Sequence, residues 1–284
     1  MKLGASQEAQ AEGNVTVTYQ GNANTYSPAT QIPIVNQVLA QQPDGLALAP
    51  TDPVALQAAV GQAVAANVPV VNVDSKVNDL SKVVSFITGD NHDGGAKAAD
   101  ALATALKYQS GQTYQVAVGL TSATATTNTD RLAGFKDQLA AKYPGITIVA
   151  SAYSQANPAT ANTNINNWLT AYPNLAGIFA IDGTNAQGAA AALQAKGLVG
   201  KVKLIGYDAY KTNVALLKQG VFTALISQDP AQEGKLAVQT LVKYVRAGNS
   251  ANGINKAVTI PNIILTKDTS AADLDKYTYV ENAG

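Results

Sequence analysis

Hydrophobic positions in this chain recur at two spacings. Short runs alternate every second residue or are continuously apolar, and longer runs repeat every third or fourth. The two patterns take turns along the whole sequence, which is the mark of an α/β protein. Val15, Val17 and Tyr19 alternate with Thr16 and Thr18 and predict a strand over 14–19. A helix is predicted around 30–41, with Ile34, Val35, Val38 and Leu39 on one face. Leu46-Ala47-Leu48-Ala49 reads as a short buried strand. Asp52 and Pro53 then open a helix to about 67, with Asp as N-cap and Pro at the first helical position. Val70-Val71-Asn72-Val73 and residues 83–87 are further strands, and such continuous apolar runs suit parallel strands covered on both faces. Beyond residue 90, helices are predicted near 91–107, 130–142, 160–171, 185–196, 210–219 and 231–246. Strands fall between them near 115–120, 146–151, 177–181, 203–207 and 222–227. Gly13, Gly197 and Gly220 stand where helix C-caps are expected.

A longer echo lies over this alternation. Residues 45–52 form a strand ending in Asp52, a helix follows, and residues 69–74 form a strand ending in Asp74. The same order returns with 177–182, a helix, and 203–208, ending in Asp182 and Asp208. Ligands of open α/β sheets bind beyond the carboxyl ends of strands. Two such units facing each other would bring four carboxylates to one cleft.

Composition narrows the chemistry. Of 284 residues, 46% are hydrophobic and only 13% charged, with 19 basic and 19 acidic side chains. The charged share is about half the roughly 25% usual for soluble domains, and a neutral balance argues against a nucleic-acid partner, which needs clustered cations. Cysteine is absent, which removes disulfides, thiolate metal sites and cysteine nucleophiles. The single histidine, His92, makes neither a zinc site nor a Ser–His–Asp triad without help, so neither a metal nor a cofactor is expected. Neither GxGxxG, GxxxxGK[ST] nor GxSxG occurs. No apolar run approaches the roughly 18 residues of a membrane span, and Met1-Lys2-Leu3-Gly4-Ala5-Ser6-Gln7-Glu8 turns polar where a signal peptide would be apolar.

The candidate binding residues follow from the strand ends. A carboxylate only accepts hydrogen bonds and can receive several hydroxyls, so Asp74 and Asp208 suit a polyol. An Asp after a strand also serves as a turn or helix cap, which is the plainer reading of Asp52 and, in part, of Asp182. Residues 121–129 form a hydroxyl-rich loop ending in Asn128 and Thr129, fit to line a polar pocket or simply to be solvated. Gln228 offers donor and acceptor after the 222–227 strand, and Tyr153 and Gln155 lie beyond another strand end. Trp168 sits with Ile165 and Leu169 at core spacing.

An ordered series of segments resembles the ribose-binding-like periplasmic sugar-binding proteins, the receptors of ABC importers. The carrying segments are Gln31-Ile32-Pro33-Ile34-Val35-Asn36, Pro43-Asp44-Gly45-Leu46-Ala47-Leu48-Ala49-Pro50-Thr51-Asp52 and Val68-Pro69-Val70-Val71-Asn72-Val73-Asp74. They continue with Gly89-Asp90-Asn91 and Gly94-Gly95, Arg131-Leu132-Ala133-Gly134-Phe135, Ile205-Gly206-Tyr207-Asp208 and Ala224-Leu225-Ile226-Ser227-Gln228-Asp229-Pro230. The resemblance implies an α/β fold of two Rossmann-like lobes of the periplasmic binding protein type I, with a ligand trapped between them and no chemistry done. It makes Asp74 and Asp208 the hydroxyl-binding carboxylates of the two lobes and Gln228 the amide at the crossover. Asp182 falls where the family often places an amide or carboxylate. Asn128 and Thr129 replace a sugar-packing arginine, and Ser75 replaces a second one, which puts ribose itself in doubt. The family's first strand, its aromatic loop and a signal segment are expected to be missing, because the Gly-Ala pair that follows them appears at Gly4-Ala5.

These readings combine into one expectation. Residues 1–89 and 229–257 form the first lobe, 90–228 the second, and 258–284 a hinge-crossing strand and tail. The expected function is capture of a small neutral sugar or polyol for an ABC-type permease, in a periplasmic or extracellular setting, with no nucleic acid and no insertion of this chain into a membrane. The alternatives are the sensing core of a lactose-repressor-type regulator, or a glycoside-acting enzyme using two of the carboxylates. Two expectations follow for the first strand: either the chain is a fragment of a longer polypeptide, or the gap is filled by a strand from elsewhere, the extended stretch 258–265 or a neighbouring chain.

Overall fold

The alternating pattern resolves into two sheets, each covered by helices on both faces. The computed structural model describes residues 1–22 and 25–280. In chain order the first elements are α1 (Lys2–Glu12), α2 (Pro28–Ala40), β1 (Leu46–Leu48), α3 (Gln57–Ala65), β2 (Val70–Val73) and β3 (Ser85–Gly89). The middle of the chain supplies α4 (Asn91–Leu106), β4 (Tyr114–Leu120), α5 (Thr126–Lys142), β5 (Ile146–Tyr153), α6 (Pro158–Ala171), β6 (Leu175–Ala180), α7 (Gly183–Ala195), β7 (Lys203–Tyr207), α8 (Lys211–Lys218) and β8 (Ala224–Ser227). It ends with α9 (Pro230–Arg246), β9 (Ala257–Ile260), β10 (Ile263–Leu265) and α10 (Ala271–Tyr277).

The first sheet has the order β1-β2-β3-β9 and is wholly parallel. The second has the order β10-β8-β7-β6-β4-β5, parallel except for β10 against β8. Parallel strands hidden on both faces need apolar side chains in both directions, and the fully buried runs of β2 and the ends of β4 and β6 supply them. On the first sheet, Val35, Leu56 and Val60 of the α2–α3 side pack on Leu48 and Val70, while Ala237 of α9 packs on Val71, Val73 and Ile87. On the second, Leu193 and Leu217 cover Ile178 and Leu204, and Leu102 and Phe135 cover Val118 and Phe179 from the other face. The rings of Phe135 and Phe179 stack at 4.8 Å. Trp168 lies in the core of the second lobe.

Three segments pass between the sheets: Gly89–Asp90 after β3, Gln228–Asp229 after β8, and Pro261–Asn262 between β9 and β10. Asn262 ties the third crossing to the first and to β7, its amide nitrogen donating to the Asp90 carbonyl at 2.6 Å and to the Tyr207 hydroxyl at 2.8 Å.

Three sequence expectations need correction. Residues 14–19 are not a strand: they run without a β-partner among the described residues, leaving Val17 and Tyr19 exposed. An alternating segment becomes a strand only where a neighbour offers a ladder, and β1 and β9 are the edges of the first sheet. The stretch 258–265 does not fill a gap beside β1, because β9 pairs with β3 at the opposite edge and β10 joins the second sheet. The helix expected from Asp52 begins only at Gln57. The Asp52 carboxylate instead holds a turn, accepting from the amides of Val54 and Ala55 at 2.9 and 2.8 Å. Residues 281–284 of the expected tail lie outside the described residues.

Helices α4 and α5 meet at a reciprocal pair of glycines. A methyl group on Gly134 would overlap the His92 carbonyl, and one on Gly95 would overlap that of Arg131. Backbone contact this close admits no side chain, so Gly134→Ala is expected to cost about 1–3 kcal/mol, the usual cost of overpacking. A lowered denaturation midpoint, with the exposed Lys136→Ala on the same helix unchanged, would register it.

Candidate ligand-binding cleft

The ends of β2 and β7 fix the site by the same local device. Asp74 and Asp208 each follow their strand in the left-handed conformation, with φ of 62° and 69°. Each donates its amide to the neighbouring strand, Asp74 to Ile87 O at 2.8 Å and Asp208 to Ile226 O at 2.9 Å. Each carbonyl is held by a side chain, Thr88 Oγ1 at 2.7 Å and Asn213 Nδ2 at 3.1 Å. The echo seen in the sequence is thus repeated in backbone conformation and ladder contact, with different side chains holding the two carbonyls. Both carboxylates line one cavity of about 950 Å³ between the lobes, within the roughly 300–1,000 Å³ range of small-molecule sites.

The two acids differ in what is left to them. Among the described residues no protein group hydrogen-bonds to the Asp74 carboxylate. Asp208 is buried and largely committed: Oδ1 accepts from Gln228 Nε2 at 2.8 Å and from the Tyr279 hydroxyl at 3.1 Å, and Oδ2 accepts from the Gly183 amide at 2.8 Å.

Between them stands a residue the sequence reading passed over as a site member. Arg131 is only 2% exposed, yet lines the cavity. Its Nε donates to Asn91 Oδ1 at 2.8 Å, its Nη1 to the Ile181 carbonyl at 3.0 Å, and its guanidinium lies 3.7 Å from the centre of the Tyr207 ring. Burial opposes its charge, but Tyr207, Asp208 and Asp74 outweigh that and hold it protonated. The planar cation missing at 75 and 129 is therefore supplied from 131. Ser75 spends its hydroxyl on the Pro50 carbonyl at 2.8 Å.

The other expected residues divide. Asn128 is buried, lines the cavity and accepts the Thr121 amide at 2.6 Å. Thr129 is exposed on the outer side of α5 and does not reach the cavity; residues 128 and 131 share a helix face that 129 does not. Asp182 lines the cavity, but its carboxylate accepts four bonds, from the Thr184 and Asn185 amides, the Thr121 hydroxyl and Asn185 Nδ2, leaving it a helix cap with no free acceptor site. Asp52 lies at the rim, held below the ordinary carboxylate range first by the Ala55 amide and also by the hydroxyl of Thr124 from the facing lobe. Beside it the Lys76 amide donates to Thr126 Oγ1 at 3.3 Å, a second contact across the cleft mouth. Tyr153 and Gln155 are exposed and line no part of the cavity. His92 is exposed and sits 3.0 Å from Asp137.

Two further cavity residues carried no local signal. Tyr26, just before α2, has its phenol pushed up to about 12, by burial first and then by Asp74. Glu233 in the first turn of α9 is buried with Oε1 unpartnered, and burial and then Asp74 raise its carboxyl well above the usual range.

Asp74 itself is pushed up to about 6, by burial first; Arg131 and the terminal ammonium oppose that, Asp208 adds to it, and Glu233 faces it from α9. A carboxyl raised from 3.8 binds more protons folded than unfolded between pH 4 and 6, so its burial lowers stability as pH rises through that window. Asp74→Asn is accordingly expected to be more stable than the parent at pH 7.5 and to lose that advantage by pH 4.5, as read from denaturant midpoints at the two pH values. Equal differences at both would contradict it.

The comparisons with known proteins agree with this geometry. A family model described as a periplasmic binding protein domain matches residues 1–250. A D-ribose/D-allose-binding protein of Pseudomonas aeruginosa is 30% identical over 243 residues, 84% of this chain and 74% of that protein. A solute-binding protein from Agrobacterium vitis, solved with α-D-tagatopyranose, superposes with a TM-score of 0.89 at 28% identity, covering 98% of this chain and 93% of that one. One from Agrobacterium radiobacter in complex with D-arabinose gives 0.89 at 30% identity, covering 97% and 92%. No helix among the described residues is long and apolar enough to cross a membrane. With both sheets, the three crossings and the cleft accounted for, the chain belongs to the periplasmic binding protein family.

Proposed function

We propose that this protein captures a small neutral sugar or polyol in the interlobe cleft and presents it to an ABC-importer permease, without chemistry. The observation that carries this is the pair of strand-end carboxylates, Asp74 and Asp208, on one cavity with Arg131 between them. Asp74 offers open acceptor sites to ligand hydroxyls, Asp208 and Gln228 meet the ligand from the second lobe and the crossover, and Asn128 adds a buried amide. Residues 1–89 with 229–257 move against 90–228 about the three crossings, and closure is driven by contacts that exist only when the lobes meet. Family membership implies an extracytoplasmic location. Relatives named for ribose and allose, and neighbours solved with tagatose and arabinose, support a monosaccharide as the ligand.

Charge argues for a neutral one. Six carboxylates, of Asp74, Asp182, Asp208, Asp229, Glu233 and Asp275, line the cavity against Arg131, Lys276 and the terminal ammonium of Met1, so an anionic ligand would meet an excess of like charge in a low-dielectric space. A thermal-shift and calorimetry panel of D-ribose, D-allose, D-arabinose and D-tagatose against galacturonate and ribose 5-phosphate tests this. A neutral sugar at about 100 times its Kd should add roughly 2.7 kcal/mol. Tight binding of an acid or phosphate, with the neutral sugars inert, would overturn the reading.

A further inference from the structure

The C-terminal segment after α10 enters the cleft, and its Tyr279 has a role that the family likeness does not assign. Its half-buried ring packs against Tyr210, edge to face at 5.3 Å, and its amide donates to the Ala209 carbonyl at 2.8 Å. Its hydroxyl donates to Asp208 Oδ1 at 3.1 Å and accepts the backbone amide of Gln228 at 3.0 Å. Gln228 in turn grips the same Asp208 oxygen through its side chain. Tail, second crossing and cleft carboxylate thus close into a ring of three residues. One residue back from the crossing, Ser227 Oγ donates to the Tyr277 carbonyl at 3.0 Å and pins the segment there.

Counting lone pairs shows what the ring does. A carboxylate has about four acceptor sites. Three of those on Asp208 are taken by Gln228, Tyr279 and Gly183, so a single site on Oδ2 faces a ligand. We infer that Tyr279 is a positioning residue that sets how Asp208 and the second interlobe crossing meet a bound sugar. This rests on the sugar-binding reading above. The phenol is raised well above its ordinary range, by burial and then by Asp208, which keeps it a donor at every working pH. Without that hydroxyl the Gln228 amide has no acceptor, and the Asp208 carboxylate gains a second open site, on Oδ1. In the open cleft water takes both places. In the closed, ligand-filled cleft water is shut out, and a buried donor left unpaired is costly. The loss therefore falls on the ligand-bound state rather than on the free protein.

The test compares Tyr279→Phe with the parent protein by two readouts. Hydrogen exchange at the Gln228 amide needs no ligand, and is expected to speed up about tenfold or more once its acceptor is gone. Titration with the neutral sugar that the parent binds should show affinity falling about tenfold, with the melting temperature of the free protein within about a degree. Unchanged exchange at Gln228 overturns the proposal. So does unchanged affinity in a variant whose exchange has risen, or a loss of affinity matched by a general loss of stability. Tyr279→His is a second variant, whose ring nitrogen retains a polar group near Asp208; partial recovery of protection at Gln228 supports the assignment. If the parent binds none of the sugars tested, the function proposed above fails, while the exchange result still decides whether Tyr279 positions the crossing.

Discussion

Replacing Arg131 by alanine is expected to lower stability by about 3–5 kcal/mol, the cost of removing one partner from a buried charge cluster. The guanidinium is almost fully enclosed, bonds Asn91 and the Ile181 carbonyl, and covers the Tyr207 ring. Its charge also opposes the burial penalty at Asp74. Removing it leaves two buried oxygens without donors and two facing carboxylates without their guanidinium counter-charge. At roughly 2–4 °C per kcal/mol for a chain of this order of size, the melting temperature should fall by about 10 °C. Lysine should rescue little, because a point charge can neither bond at two nitrogens in one plane nor stack on the tyrosine. A variant melting within a degree of the parent would show that Arg131 does not hold the cleft together.

Asp208→Asn should weaken sugar binding about 100-fold or more while leaving the free protein folded. Asparagine fits the left-handed backbone at φ 69° as well as aspartate does, so the change isolates the carboxylate. Three donors converge on it, from Gln228, Tyr279 and Gly183. An amide presents a nitrogen to at least one of them, setting donor against donor, and withdraws an acceptor from the ligand. A hundredfold change corresponds to about 2.8 kcal/mol, at 1.4 per factor of ten, a reasonable sum for one repulsive contact and one lost charge-assisted bond. Calorimetric titration with the parent's sugar measures it. An affinity within threefold would remove Asp208 from the binding residues.

What could be read from the chain and what could not divides along physical lines. The strand-end acids were legible because a strand's end and the residue after it are local facts, and Asp74 and Asp208 needed only the order of elements to be placed on one cleft. Arg131 was hidden by a helix boundary. The sequence suggested a helix from 130, whereas α5 begins at Thr126. With 128 and 129 taken as loop, no helical phase separated Asn128 and Arg131, which face inward, from Thr129, which faces out. Asp182 had the right place but a spent carboxylate, and only side-chain geometry counts its donors. Tyr26, Glu233 and Tyr279 reach the cleft from segments distant in sequence, so no local pattern announces them. The segment 14–19 failed for the opposite reason: its alternation is sound, but pairing depends on a neighbour that the pattern cannot supply.

The left-handed backbone at Asp74 and Asp208 also bears on how the protein would change under selection. Such positions cost a residue with a side chain of order 1 kcal/mol or more, a cost that glycine avoids. The Asp208 carboxylate repays that cost by accepting from Gln228, Tyr279 and Gly183, but among the described residues the Asp74 carboxylate has no such donors, so at 74 the most stabilising replacement is one that cannot bind. A library of variants sorted for heat resistance in the absence of sugar should enrich glycine at 74 but keep aspartate at 208, and every gain in melting temperature taken at 74 would erase a hydroxyl acceptor. Sorting in the presence of a saturating ligand should reverse the preference, because binding energy then returns to Asp74 what its backbone withholds. Any programme to harden this scaffold as a sugar sensor would have to carry out its selection with the cleft filled.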